Sequence, residues 1–331
     1  MNKMKLSLAS RRDFLLQAVA GGTALCSLDA FAQAPYPTRP IRVVVPYAPG
    51  GGTDVVGRPL AQAMSTELGQ PMIVDNKPGG GTVIGSDFVA KAAPDGYTLL
   101  MTTSAIAINA SLVPRLPYDT DRDLTGVGRI CQGPLVIACR PDKPWKTLGD
   151  VMQAARAQPG KLTYASSGNG SAVHLGAELL KMMAHVDLTH VPYRGAGPAI
   201  TDVLGGQVDL IFATAGSVYK FVQAGRLRAL AVTSGSRSEA YAGVPTVAEI
   251  VPGYSAEVWY AVLAPSGTPQ AIVQQLNTAL KKAASGAAYR TALEREGLKV
   301  IADSPQEMAA FLRAEEARWR KVVTEAKITI D

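Results

Sequence analysis

Short runs of β-branched and apolar residues alternate with longer amphipathic stretches along most of the 331 residues. "IRVVVPYA", from residue 41, reads as a strand, and residues 54–68 read as a helix closed by Gly69 and Pro71. "MIVDN" is the next strand, "GGGTVIGSDFVAKAAPDG" a second helix led by glycines, and "YTLLMTTS" a third strand. Residues 114–128, "PRLPYDTDRDLTGVG", break the alternation with prolines and charges and read as a crossing between lobes. A second unit follows. It runs through strand "PLVIACR", a helix near 147–157, strand "KLTYASS", a helix after "GNGS", strand "LTHVPY" and a helix at 197–204. Strands "QVDLIFAT" and "LRALAVTS" complete it. Residues 234–256 are rich in loop formers, and "VWYAVLAPSGTP" then leads to helices at about 268–285 and 287–296. Ser304, Pro305 and Glu307 mark the last helix with a capping box and a proline at its first position.

This order predicts an α/β protein of two lobes, residues 33–120 with 251–331 and residues 121–250, joined by two crossing strands. Such lobes enclose a cleft that can open and close on a hinge, as in periplasmic binding proteins. The nearly all-apolar strands "VVVPY", "LVIAC" and "VDLIF" point to buried parallel sheets.

The first 32 residues depart from this pattern. Lys3, Lys5, Arg11 and Arg12 form a basic start, a short apolar run follows, and Ala30-Phe31-Ala32 offers a small-x-small cleavage site. "SRRDFLLQ" has the paired arginines of a twin-arginine export motif, with an ordinary Sec signal as the alternative. The run is too short to span a bilayer, which needs about 20 apolar residues. Cys26 would suggest a lipoprotein, but Leu25 before it is too large for that signal. The expectation is a periplasmic protein, cleaved near Ala32, with no stable membrane insertion.

Removal of this segment lowers the formal charge from +6 to +4, spread along the chain. No basic run interleaved with aromatics appears, so a nucleic acid is not an expected partner. Cys131 and Cys139 flank one short strand that, extended, holds them about 25 Å apart, beyond disulfide reach. Free, buried thiols are expected.

The chemistry concentrates where strands hand over to helices. In "YAPGGGTD", Gly50, Gly51 and Gly52 precede a helix amino end, which presents unpaired N–H groups and the positive end of a dipole. Without Cβ atoms there, a carboxylate can reach those groups. Tyr47 and Thr53 flank the turn as candidate contacts, while Asp54 reads as the helix cap. A tight turn with no ligand is the other reading. Pro59 lies beyond the first turn, so the helix is expected to start distorted or nearer Arg58. The spacing matches neither G-x-G-x-x-G nor G-K-[ST], so a nucleotide is not expected.

"SSGNGSAVHL" repeats the arrangement in the second unit, with Ser171 as N-cap and Ser166, Ser167, Asn169 and Gly170 placed to grip a second carboxylate or ring substituent. His174 either contacts the ligand or packs inside. Thr102, Thr103 and Ser104 end a strand and should point into the cleft, and Arg194 in "YRGAG" could pair with an acid or be solvated. Asp209 should serve the start of its strand. Trp259 and Tyr260 either line the cleft or pack near the hinge.

Several ordered motifs resemble one family. "YPTRPIRVVVPYAPGGGTD", "NKPGGGTVIG", "VAKAAPDGYTLLM", "LTYASSGNGSAVHL", "VPYRGAGPAITDVLGGQVDLIF", "LRALAVTS" and "VPTVAE" are similar to the substrate-binding proteins of tripartite tricarboxylate transporters, the Bug receptors. The resemblance runs from about residue 36 to the C-terminus. It implies a type II periplasmic binding protein, or Venus-flytrap, fold, capture of a small organic acid, and delivery to membrane permease subunits. A monomer without a cofactor is expected. It leaves the acid unidentified, and presentation to a sensor kinase remains open as an alternative to transport. The three histidines form no metal-binding spacing, no G-x-S-x-G elbow exists, and Ser171 with His174 does not by itself make an activated nucleophile. An enzyme is therefore not expected, and a secreted hydrolase is the distant alternative.

Overall fold

Strand β1 (Ile41–Val45) lies between two parallel neighbours, β2 (Met72–Asn76) and β3 (Thr98–Thr103). Helix α1 (Gly52–Leu68) connects β1 to β2, and α2 (Val83–Ala90) connects β2 to β3. The computed structural model describes residues 35–325, 328 and 329. The export segment and its cleavage site lie outside these residues. From Pro37 onward the described residues pack as one unit.

Pro59 does not interrupt α1, which begins at Gly52 and passes through it. The ring removes the N–H that would bond the Val55 carbonyl. Buried Val56, Leu60, Ala61 and Met64 form the face that holds the helix against the sheet regardless. The expected delayed start was wrong for that reason: tertiary burial outweighs one missing bond.

After β3 comes α3 (Ala105–Leu112), a helix the alternation does not announce. Its sequence "AIAINASL" has no polar face because residues 105–109 and Leu112 are all buried. A single turn, α4 (Thr120–Asp123), capped by Asp119, then leads directly into β4 (Leu124–Cys139). The stretch 114–128, read as a crossing, thus ends within a strand sixteen residues long.

The sheet order is β2-β1-β3-β9-β4-β7-β5-β6, with β8 and β10 also paired to β4. The first part of β4, Leu124 to Pro134, runs antiparallel to β9 (Glu257–Pro265). Its last five residues pair antiparallel with β7 (Leu210–Thr214) and β8 (Arg228–Val232). The apolar run "LVIAC" is thus buried on both faces but antiparallel, not parallel as expected. Only the neighbours β5 (Thr163–Ser166), β6 (Thr189–Pro192) and β7 repeat the parallel pattern on that side. They are linked by α6 (Ala172–Ala184) and α7 (Ala196–Gly205), with α5 (Leu148–Ala157) before β5 and α8 (Ala215–Gln223) after β7. Asp209 serves the start of β7. Its carboxylate accepts from Thr163 N and Oγ1, each at 3.0 Å, and pairs with Lys143.

Beyond β9 the chain returns to the first half of the sheet. Helix α9 (Gln270–Ser285) packs on α1, followed by α10 (Ala287–Arg295), the short β10 (Lys299–Val300) and α11 (Pro305–Glu325), which packs on α3 and β4. The Ser304–Glu307 capping box is present, with Glu307 N to Ser304 Oγ at 3.2 Å and Ser304 N to Glu307 Oε2 at 2.8 Å. Cys131 and Cys139 are free and buried on β4. Burial pushes the Cys139 thiol up to about 11 and Cys131 further still.

Asn277 ties α9 to the long strand. It is buried, and its Nδ2 donates to Val127 O and to Asp303 O, both at 2.8 Å. Asn277→Ala leaves both carbonyls buried without that donor and should lower unfolding free energy by about 2–4 kcal/mol. Urea denaturation checks this, and a loss below about 0.5 kcal/mol, the range of an ordinary surface change, would contradict it.

Candidate functional site

The turns that follow β1, β2, β5, β6 and β7 all lie at the carboxyl ends of strands, the side on which α/β sheets take ligands. The first is built on glycine. Gly50 sits at φ +88° and Gly51 is extended at the N-cap with no side-chain cap. Asp54 is not the cap. It occupies the third helical position and reaches back to accept from Gly50 N at 2.5 Å, from Asn76 Nδ2 at 3.2 Å, and from Arg58. Its carboxylate is buried and already satisfied. The first helical turn closes with Asp54 N and Val55 N on Gly51 O. Among the described residues, nothing accepts from the N–H groups of Gly52 and Thr53.

The second turn matches it. Ser171 is the N-cap of α6, accepting from His174 N at 3.3 Å and donating to Gly168 O at 2.6 Å. The N–H groups of Ala172 and Val173 likewise have no acceptor among the described residues. Gly52, Thr53, Ala172 and Val173 all line one inner cavity of about 30 Å³, together with Tyr47, Gly51, Thr103, Ser167, Ser171 and Thr214. No charged side chain lines it. Its floor is apolar: Ile211, Phe212, Ala213 and Val258. Tyr47, Ser167 and Ser171 also border a larger outer chamber of about 410 Å³, which Gly79, Gly80, Gly81 and Asn169 help to form. Arg194 stands exposed at its edge and is the one charged residue lining it among the described residues.

The remaining residues singled out in the sequence lie behind or beside these spaces. Thr102, Ser104 and Ser166 are fully buried, and Gly50 is on the outside. Tyr47 Oη bonds Thr103 Oγ1 at 2.8 Å, and burial pushes the phenol up to about 12. His174 is 5% exposed and packs inside: its Nδ1 accepts from Gly170 N at 3.3 Å and its ring stacks on His190 at 4.2 Å. His190 stacks in turn on Tyr164 at 4.8 Å, and its Nε2 is 2.6 Å from Ser166 Oγ. With Ser166 fully buried, this serine–histidine pair braces the turn from beneath.

Two features escaped the sequence reading. Thr214 precedes α8, whose amphipathic pattern is hidden behind an apolar strand. Asn109, in the unannounced α3, braces the 79–82 turn by donating to Gly81 O at 2.8 Å and Thr82 Oγ1 at 3.0 Å. Thr82 is held at φ +84°, uncommon for a non-glycine residue. Across the cleft the halves meet on glycine: a Cβ on Gly81 would lie 2.5 Å from Asn169 O, and one on Gly195 3.4 Å from Ala48 Cβ.

Residues 56–328 match the profile of the tripartite tricarboxylate transporter family receptors, TctC. The chain belongs to this family. It is 38% identical to BugT of Bordetella pertussis over 311 residues, covering 93% of this chain and 94% of BugT. Among solved structures it resembles Rhodopseudomonas palustris Rpa4515 with adipate, at TM-score 0.86 and 36% identity, over 89% of this chain and 99% of that one. It also resembles MatC of the same organism with bound malate, at TM-score 0.84 and 33% identity, over 87% and 100%. The sheet and helices described above are those of a TctC-type periplasmic binding protein.

The stacked histidines give this receptor a pH signature. Burial, then Lys181, holds His174 down to about 4; burial, then His174, holds His190 down to about 3. Unfolded, each takes its proton near pH 6.5, so in between the unfolded chain binds more protons and stability falls as pH drops. The loss should reach about 1–2 kcal/mol per histidine by pH 5. Urea midpoints should fall from pH 6.5 to 5 in the wild type and much less in a His174→Gln/His190→Gln variant. Equal slopes would contradict buried, neutral rings.

Proposed function

We propose that the protein is a periplasmic receptor that holds a small organic acid between two lobes and delivers it to the membrane subunits of a tripartite transporter. The lobes are residues 33–120 with 251–331 and residues 121–250, and the hinge is the paired strands β4 and β9. The observation that carries this reading is the convergence of two helix amino ends on one cavity with no charged side chain. Four N–H groups there lack acceptors, and a carboxylate supplies them. An amine would find only donors. Family membership and the neighbours solved with adipate and malate support an acid as cargo. The ligand is released unchanged in this reading, because the site collects hydrogen-bond donors around an anion and the buried Ser166 does not line it.

In this reading Thr53, Thr103, Ser167 and Ser171 contribute hydroxyls to the inner carboxylate, while Asn169 and Arg194 meet whatever part of the ligand extends into the outer chamber. Closure on the acid stabilises the folded state, by about 2.7 kcal/mol at 100 times the dissociation constant, which raises the melting temperature by a few degrees. A panel of malate, adipate, benzoate and nicotinate tests this by thermal shift and calorimetry. At least one acid should bind and be recovered intact. Thr53→Ala should weaken it about tenfold through one lost bond to a charged group. Gly51→Val should abolish binding, since its branched side chain enters the 3.9 Å gap to Ala196 Cβ. Normal binding by both variants would place the carboxylate elsewhere.

A further inference from the structure

We infer that Tyr260, on the crossing strand β9, reads the inner carboxylate of the acid by donating its phenolic hydrogen to it. This rests on the proposal that the acid sits at the amino end of α1, and it adds a contact from the hinge strand itself.

Strand register sets the direction of the side chain. Thr103 of β3 is directly opposite Tyr260 of β9 in an antiparallel pair. Residues opposite each other in such a pair share a face of the sheet. Thr103 lines the inner cavity, and so does Val258, two residues before Tyr260 and therefore on the same face. Tyr260 is thus aimed toward the site from beneath. Its hydroxyl reaches the first residue of α1: a Cβ built on Gly52 would lie 2.7 Å from Tyr260 Oη and would also collide with Thr214 Oγ1. Gly52 is one of the residues whose N–H lacks an acceptor.

The hydroxyl makes no hydrogen bond of good geometry among the described residues, although Tyr260 is fully buried, and its nearest polar neighbour is the Thr214 hydroxyl. Thr214 beside it donates to Ser217 Oγ at 3.0 Å. Tyr47 makes the contrast. Tyr47 itself lines the cavity, whereas Tyr260 stands behind the lining residues, and the Tyr47 hydroxyl is bonded to Thr103. A buried hydroxyl left unpaired is uncommon and calls for an explanation. The O–H thus stands beside Gly52, whose own N–H lacks an acceptor, and both groups are donors. An anion with two oxygens completes both kinds at once. Burial, then Cys131, raises the phenol further against a smaller lowering by Thr214, so it stays protonated and able to donate throughout the range in which proteins are handled. Because β9 is paired to both β3 and β4, this donor links the acid to the strands that join the two halves.

Tyr260→Phe tests the inference, since it removes one oxygen and keeps the packing. The probe is whichever of malate, adipate, benzoate or nicotinate binds the purified protein most tightly by calorimetry. Affinity should drop about tenfold or more, as expected for a bond to a charged group. The melting temperature without acid should hold or rise, because an unpaired hydroxyl has been removed. Unchanged affinity, or a lower melting temperature with unchanged affinity, would show a packing role and overturn the inference. If Thr53→Ala loses affinity and Tyr260→Phe does not, only this inference fails. If none of the four acids binds the wild type, the carboxylate reading fails and Tyr260 with it.

Discussion

Helix amino ends without acceptors carry the argument for this molecule. A helix leaves its first N–H groups unbonded, and most proteins satisfy them with water or a capping side chain. Here α1 has no side-chain cap, and the one carboxylate near it, Asp54, is turned back onto Gly50 and Asn76. The cap of α6 serves His174 and leaves Ala172 and Val173 open. Both ends face the same small space. That space has an apolar floor and no charged side chain, so the field of the two helices meets little screening. An anion suits such a place, and using backbone groups to hold it avoids the cost of burying an arginine or lysine.

The rest of the fold positions those two ends. Strand β4 enters both halves of the sheet, pairing with β9 on one side of Pro134 and with β7 and β8 on the other. The α1 turn belongs to one half of the sheet and the α6 turn to the other, so their placement depends on how these long strands pair. Where the halves touch, glycines at positive φ let backbone meet backbone, as at Gly81 against Asn169. Asn109 on one side and the His174–His190 stack on the other hold the two facing turns in shape without entering the cavity.

Much of this was legible in the sequence because the relevant signals are local. The parallel strands and their helices follow from apolar runs and glycine turns, and Ser171 and Ser304 announce their caps by type and spacing. What could not be read depends on partners distant in the chain. The run 105–112 is a helix only because neighbours bury it on every side. The strand character of 124–133 comes from pairing with β9, more than 120 residues away. Asp54 looked like a cap because the donor it reaches, Asn76, lies at the end of a strand 22 residues further along the chain. Tyr260 looked ambiguous for the same kind of reason: its meaning comes from standing opposite Thr103 and beneath Gly52.

The central claim concerns where an acid's charge rests, and a crystal structure of the protein grown with its bound acid tests it most directly. The account predicts carboxylate oxygens at hydrogen-bond distance, about 2.7–3.2 Å, from the N–H groups of Gly52 or Thr53 and of Ala172 or Val173. A carboxylate held instead on Arg194 at the rim, with those four groups left to water, would contradict it.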